Sequence, residues 1–229
     1  MNSSVDSLTV SPRPPTRTTP RAARWLALGA VVSPVLFTLA WLVLGFVSPG
    51  FTLFGTLIAP YSPISQGISG LGLGPTAPYM NAAFVLCGLI LIVGVAGIFQ
   101  TIREIGAVAR WSCTLVLALS GVGMAMDGIF TLESFFLHFV GFGVAIGTLV
   151  LSFLVTGFVL RRVPRWRRFG SWLLLASPLT LALLILYFAT FDPIASGQGL
   201  GVAGLTERIL VVEAHTWFVV MGWLAFRRS

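Results

Sequence analysis

Away from its clustered arginines, the chain carries Asp127, Glu133, His138, Asp192, Glu207, Arg208, Glu213 and His215 in otherwise apolar surroundings. Ionisable groups in such surroundings are costly to hold, so they are the first candidates for a site. At 100° per residue, Arg208 and His215 lie about 20° apart on one helical face, whereas Glu213 points about 140° away from Arg208. Glu213 and His215 therefore do not pair within one helix, and Glu213 needs a partner from elsewhere or a proton.

A second candidate is the run Tyr61-Ser62-Pro63-Ile64-Ser65-Gln66-Gly67-Ile68-Ser69-Gly70-Leu71-Gly72. Ser65, Gln66 and Ser69 could line a polar cavity, or the serines could simply cap a short interfacial helix. A serine nucleophile needs a base, and this segment has none, because no charged residue and no histidine occurs between Trp25 and Ile102.

Three kinds of chemistry fit these residues. The first, preferred here, is non-enzymatic binding of a lipid or small amphiphile, with Ser65, Ser69, Asp127, His138, Glu207, Arg208 and His215 around one polar site. There Arg208 would receive an anionic head or carboxylate, and His138 and Glu207 would orient it. The second is a metal-dependent intramembrane hydrolase, in which Asp127, His138 and His215 hold zinc with one position open for water. No His-Glu-x-x-His spacing supports it, and no cofactor is expected. The third is a proton-coupled transporter in which Glu213 titrates, although no clear inverted repeat accompanies it.

Whatever the chemistry, membrane helices must position it. Of the 229 residues, 56% are hydrophobic and only 9% charged, against about a quarter charged in a soluble domain. One span requires about 20 apolar residues, and six such stretches are present, at about 25–47, 80–100, 111–130, 136–160, 170–190 and 204–226. The expected fold is all-α, a six-transmembrane-helix bundle over 24–229. A solvated, disordered tail is expected at 1–23, where Ser, Thr, Pro and Arg dominate. The first apolar run is too long for the 7–15-residue core of a signal peptide, so it reads as a retained span.

The net charge of +7 rests on 14 basic residues, all arginine. In a soluble protein that excess would raise the question of nucleic acid; here the arginines sort by loop, so membrane lipids are the expected partners and nucleic acid is not. Those preceding the first span, between the second and third, between the fourth and fifth, and at the C-terminus fall on one side if there are six spans. Arg208 alone falls on the other. The positive-inside rule then puts both termini in the cytoplasm of a multi-pass cell-membrane protein. The apolar segment 49–79 becomes an outer loop, expected to fold back over the helix ends.

Within the bundle, Gly143 and Gly147 have the spacing for close helix contact, and Pro34 and Pro178 should each kink a span. Ser33 and Ser177, just before the prolines, could satisfy carbonyls freed by those kinks. Cys87 and Cys113 fall at different depths, a poor match for a disulfide.

Three patterns together resemble the bacterial six-span family known as Domain of Unknown Function 998: Ser65-x-x-Ile68-Ser69-x-Leu71-Gly72, Gly128-Ile129-Phe130 followed by His138, and Gly204-x-x-Glu207-Arg208 with Trp217 beyond. The resemblance covers approximately residues 25–226. It implies a bacterial plasma-membrane protein in which the first outer loop, His138 and Glu207-Arg208 form one site, and it supplies no substrate or reaction. Gly70 stands where the family commonly has an acid, and Thr131 where it commonly has proline.

Overall fold

The computed structural model describes residues 21–228. The expected tail lies outside the described residues except for 21–23, which already belong to the first helix. Six helices are long and apolar enough to cross a membrane: Arg21–Val47, Gly74–Thr101, Ala107–Ile129, Leu132–Arg161, Arg167–Thr190 and Ala203–Arg228. The fold is an all-α, six-span bundle.

Each span packs on its neighbour in sequence, and the sixth closes the ring against the first. At that closure Trp25 meets Phe226 edge-on at 5.2 Å, and the Arg24 guanidinium lies 4.4 Å from the centre of the same ring. Arg165 and Arg228 exchange side-chain-to-carbonyl hydrogen bonds. The arginines before the first span, between the fourth and fifth, and at the C-terminal end of the sixth thus lie at one end of the bundle.

Without a hydrophobic force between helices in lipid, close backbone approach has to supply the packing. The glycines that provide it are not the expected pair. A Cβ on Gly88 would sit 2.5 Å from the Gly121 carbonyl oxygen, and one on Gly157 would sit 2.9 Å from that of Gly170. Gly143 and Gly147 have open space instead, with nothing within 4 Å of where a Cβ would stand. They bound a π-helical turn, Gly143–Gly147, inside the fourth span; the small-xxx-small rule assumes α-helical spacing, which the wider turn breaks.

Helical structure also runs through Pro34 and Pro178, and the interruption in the first span falls at Leu28. Ser33 and Ser177 donate across to the carbonyls of Cys87 and Val150, both at 2.7 Å. They therefore link neighbouring helices rather than repair their own. Cys87 and Cys113 are buried and free.

The end opposite the arginines is covered by the first connection. Phe51–Leu53 and Thr56–Ile58 form an antiparallel hairpin with Phe51 opposite Ile58. Its two-residue turn places Phe54 at φ 48° and Gly55 at φ 80°, the primed geometry that matches strand twist. A 3₁₀ turn at Ile68–Gly72 follows, and it buries Ile68 and Leu71 fully. Between the last two spans, the short helix Pro193–Gly197 is capped by Asp192, which accepts from the N–H groups of Ile194 and Ala195.

Candidate functional site

The sixth span holds the loop in place through Gly204, Glu207 and Arg208. Gly204 lacks the Cβ that would collide with the Pro63 and Gln66 carbonyls, so loop backbone can lie directly on the helix start. The Ile64 carbonyl accepts from the Leu205 N–H at 2.9 Å. Glu207 accepts from the Ile68 N–H at 3.1 Å, in room left by Gly67.

Arg208, only 7% exposed, donates through Nη1 to the carbonyls of Pro63 (2.7 Å), Gln66 (2.9 Å) and Gly204 (2.8 Å). Its Nη2 donates to the Tyr61 hydroxyl, which in turn donates to the Gly67 carbonyl at 3.0 Å. Burial pushes the Tyr61 phenol up to about 12, with Arg208 acting against that rise. An anion could take Arg208 only by displacing these loop acceptors.

His138 is built into position by the end of the third span. Gly128 packs so closely on the second span that a Cβ there would lie 2.7 Å from the Asn81 carbonyl oxygen. The helix stops at Ile129, and Phe130 turns extended (φ −104°, ψ 96°). The Phe130 carbonyl is thereby left for His138 Nδ1, 2.7 Å away. A carbonyl can only accept, so Nδ1 carries a proton. The other nitrogen, Nε2, lies 2.7 Å from Ser69 Oγ. In the neutral imidazole, Nε2 is then the acceptor and the Ser69 hydroxyl the donor.

Asp127 stands behind this pair, its Oδ1 3.8 Å from His138 Nδ1. Gly141 makes room for that carboxylate, and Oδ1 is buried without a hydrogen-bond partner among the described residues.

The base missing from the first loop thus arrives from the fourth span. Its sequence trace was present in the Gly128-Ile129-Phe130…His138 pattern, but nothing in the spacing said which serine the histidine would meet. The 3₁₀ turn chooses Ser69. Ser65 is buried elsewhere: its carbonyl accepts from the Ser196 hydroxyl at 2.6 Å, and its own Oγ has no partner among the described residues. Gln66 ties the same short helix through Nε2 to the Ser196 carbonyl at 2.9 Å.

Above the Ser69–His138 pair opens a cavity of about 550 Å³. Its walls are mainly apolar, with Phe51, Phe139, Phe142, Tyr187, Phe188 and Phe191 among them. Ser69, His138, Gln66 and Glu207 bring polar groups to it, as do Thr56, Ser196 and Gln198.

A smaller cavity of about 30 Å³ lies deeper, bordered by Ser120, Asp127, Glu207 and His215. That is room enough for water. His215 is buried there, edge-on to Phe37 at 5.6 Å. Asp127 and His138 meet, but among the described residues no group of three His, Cys, Asp or Glu side chains is placed to hold a metal ion.

Glu213 belongs to neither cavity. It faces Thr180 of the fifth span, with oxygens 3.0 and 3.2 Å from that hydroxyl, and accepts from Trp217 Nε1 at 2.6 Å. Glu133 is exposed in the 3₁₀ turn that opens the fourth span.

At Gly70, a Cβ would lie 2.7 Å from the Phe51 ring, so the hairpin occupies the space an acid would need. Thr131 accepts the Ser134 N–H through its carbonyl at 2.8 Å and starts the turn leading to His138.

These features define a multi-pass membrane protein in which a clasped loop forms part of the wall of a mainly apolar cavity. A family model described as "Protein of unknown function (DUF998)" matches residues 31–224. The chain belongs to that family. No curated protein and no solved structure matches it.

Proposed function

We propose that the protein binds a small amphiphile, such as a lipid chain with a compact polar head, in the cavity bordered by the clasped loop. The observation that carries this reading is the cavity itself. Its volume of about 550 Å³ falls within the range of roughly 300–1,000 Å³ typical of ligand sites, and apolar walls with a few convergent polar groups are their usual chemistry. The head would meet Ser69 and His138 and the tail would lie along the phenylalanines. Arg208 acts on the loop and reaches the ligand only through it.

The same reading puts the arginine-rich end in the cytoplasm of a cell membrane, and the cavity at the outer face. Reporter fusions after Arg168 and Arg228 should read cytoplasm and one after Gln198 the outside; any reversal defeats this orientation.

Binding is tested with a fluorescent fatty alcohol titrated into the full-length protein in mild detergent. Gly197 lines the cavity, and Gly197→Trp would fill it. Saturable binding that weakens at least tenfold in that variant, at unchanged melting temperature, supports the proposal. Absence of saturable binding, or equal binding by both proteins, overturns it.

A further inference from the structure

Resting on this reading of the cavity, we infer that Ser69 and His138 form a nucleophile–base pair that cleaves an acyl ester of an amphiphile bound there. Ser69 Oγ is 2.7 Å from His138 Nε2, and Nδ1 is held at 2.7 Å by the Phe130 carbonyl. This is the polarity that general-base activation of a hydroxyl requires: nucleophile to one ring nitrogen, a fixed acceptor on the other. Both residues border the large cavity, which puts the pair beside the space where an ester would lie.

In the first step Ser69 Oγ attacks the ester carbonyl carbon while its proton passes to His138 Nε2. The C–O bond to the alcohol then breaks, and that proton leaves with the alcohol, giving acyl-Ser69. Water, the second reactant, attacks the acyl carbon and gives its proton to Nε2. Ser69 recovers that proton as the carboxylic acid departs, so the net change is ester plus water to acid plus alcohol. Nothing is oxidised or reduced.

Phe130 and Asp127 are positioning residues. The Phe130 carbonyl keeps Nε2 turned toward Ser69. The Asp127 carboxyl, 3.8 Å from Nδ1, faces the ring on which positive charge develops during attack.

The alternative role for the same hydrogen bond is to pin the loop to the fourth span, and the two roles diverge in reactivity. The full-length protein in mild detergent is treated with a long-chain alkyl fluorophosphonate, which serine attacks with loss of fluoride, and the adduct is mapped by peptide mass spectrometry. One adduct on Ser69 of the wild type is expected. It should be absent in Ser69→Ala and form about 10²–10⁴-fold more slowly in His138→Gln, the range a general base contributes. Gln can still bridge the two oxygens and so keep the loop pinned, and a purely structural role for the pair would leave the wild type itself unlabelled.

The fluorescent alcohol titration is run on the same samples. Wild type that binds the alcohol but carries no Ser69 adduct overturns this inference and leaves the binding proposal standing. Wild type that neither binds nor labels overturns both. Because the adduct is mapped in the wild type, a variant that fails to fold does not remove the test.

Discussion

Replacing Arg208 by Met should release the loop while leaving most of the packing intact. The apolar stem remains beside Trp41, whose ring centre is 5.3 Å from the guanidinium carbon. Nη1 has two hydrogens for three acceptors within 2.9 Å, and one acceptor, the Gly204 carbonyl, belongs to the same helix. Counting one effective bond from Nη1 to the loop and one from Nη2 to Tyr61 gives two charged-donor hydrogen bonds, at about 1.5–3 kcal/mol each. The opening free energy of the loop should fall by about 3–6 kcal/mol, and 1.4 kcal/mol is a factor of ten. Hydrogen exchange of the peptide spanning 62–72, read by mass spectrometry in detergent, should accelerate about 10²–10⁴-fold, because amide exchange follows local opening. Less than a tenfold change would refute the clasp. A second readout separates the clasp from direct ligand contact: Arg208→Met should weaken a neutral fatty alcohol and an anionic fatty acid alike. Selective loss of the acid would instead place Arg208 against the ligand.

Gly204→Val should lift the loop from the sixth span, because even a Cβ would lie 2.8 Å from the Pro63 carbonyl oxygen; accelerated exchange in 62–72 checks this, and wild-type exchange would contradict it. The Tyr61 phenol is raised from 10.0 to about 12, so its contribution is complete below pH 10 and is lost as pH rises through about 12. With one pH unit worth about 1.4 kcal/mol, loop protection should fall by up to about 3 kcal/mol over that interval, and Tyr61→Phe should remove that pH dependence. At the hairpin tip, Phe54 adopts φ 48°, a costly conformation for a bulky side chain. Phe54→Gly should relieve about 1 kcal/mol of strain, seen as slower hairpin exchange; faster exchange would show that the exposed ring contributes more than its backbone costs.

The helices were readable because each crossing leaves a long apolar run and the arginines divide by loop. Their contacts were less readable. Gly143 and Gly147 fit a packing motif by spacing alone, yet the π turn removes them from any interface, whereas Gly88, Gly121, Gly157 and Gly170 lie in no conspicuous pattern. In the site, helical periodicity put Arg208 and His215 on one face of the sixth span and Glu213 off it, and that face is the buried one. It could not say where Arg208's hydrogens would go, since the acceptors are carbonyls, which every residue possesses. Ser65 and Ser69 look equivalent in sequence. Only the turn at Ile68–Gly72, docked by the Glu207 contact to the Ile68 N–H, brings Ser69 alone to a histidine 69 positions away.

The clasp also has a consequence for biogenesis. The loop is made between the first two spans, but Gly204, Glu207 and Arg208 belong to the last, so its carbonyls must wait until nearly the entire chain has been synthesised and inserted. Until then, the loop's share of the cavity wall, Gln66, Gly67, Ser69 and Gly70, is unfastened. Closure of the site therefore coincides with arrival of the final span, and a chain interrupted before residue 204 would retain five crossings while presenting an unlatched, apolar loop to the insertion and quality-control machinery of its membrane.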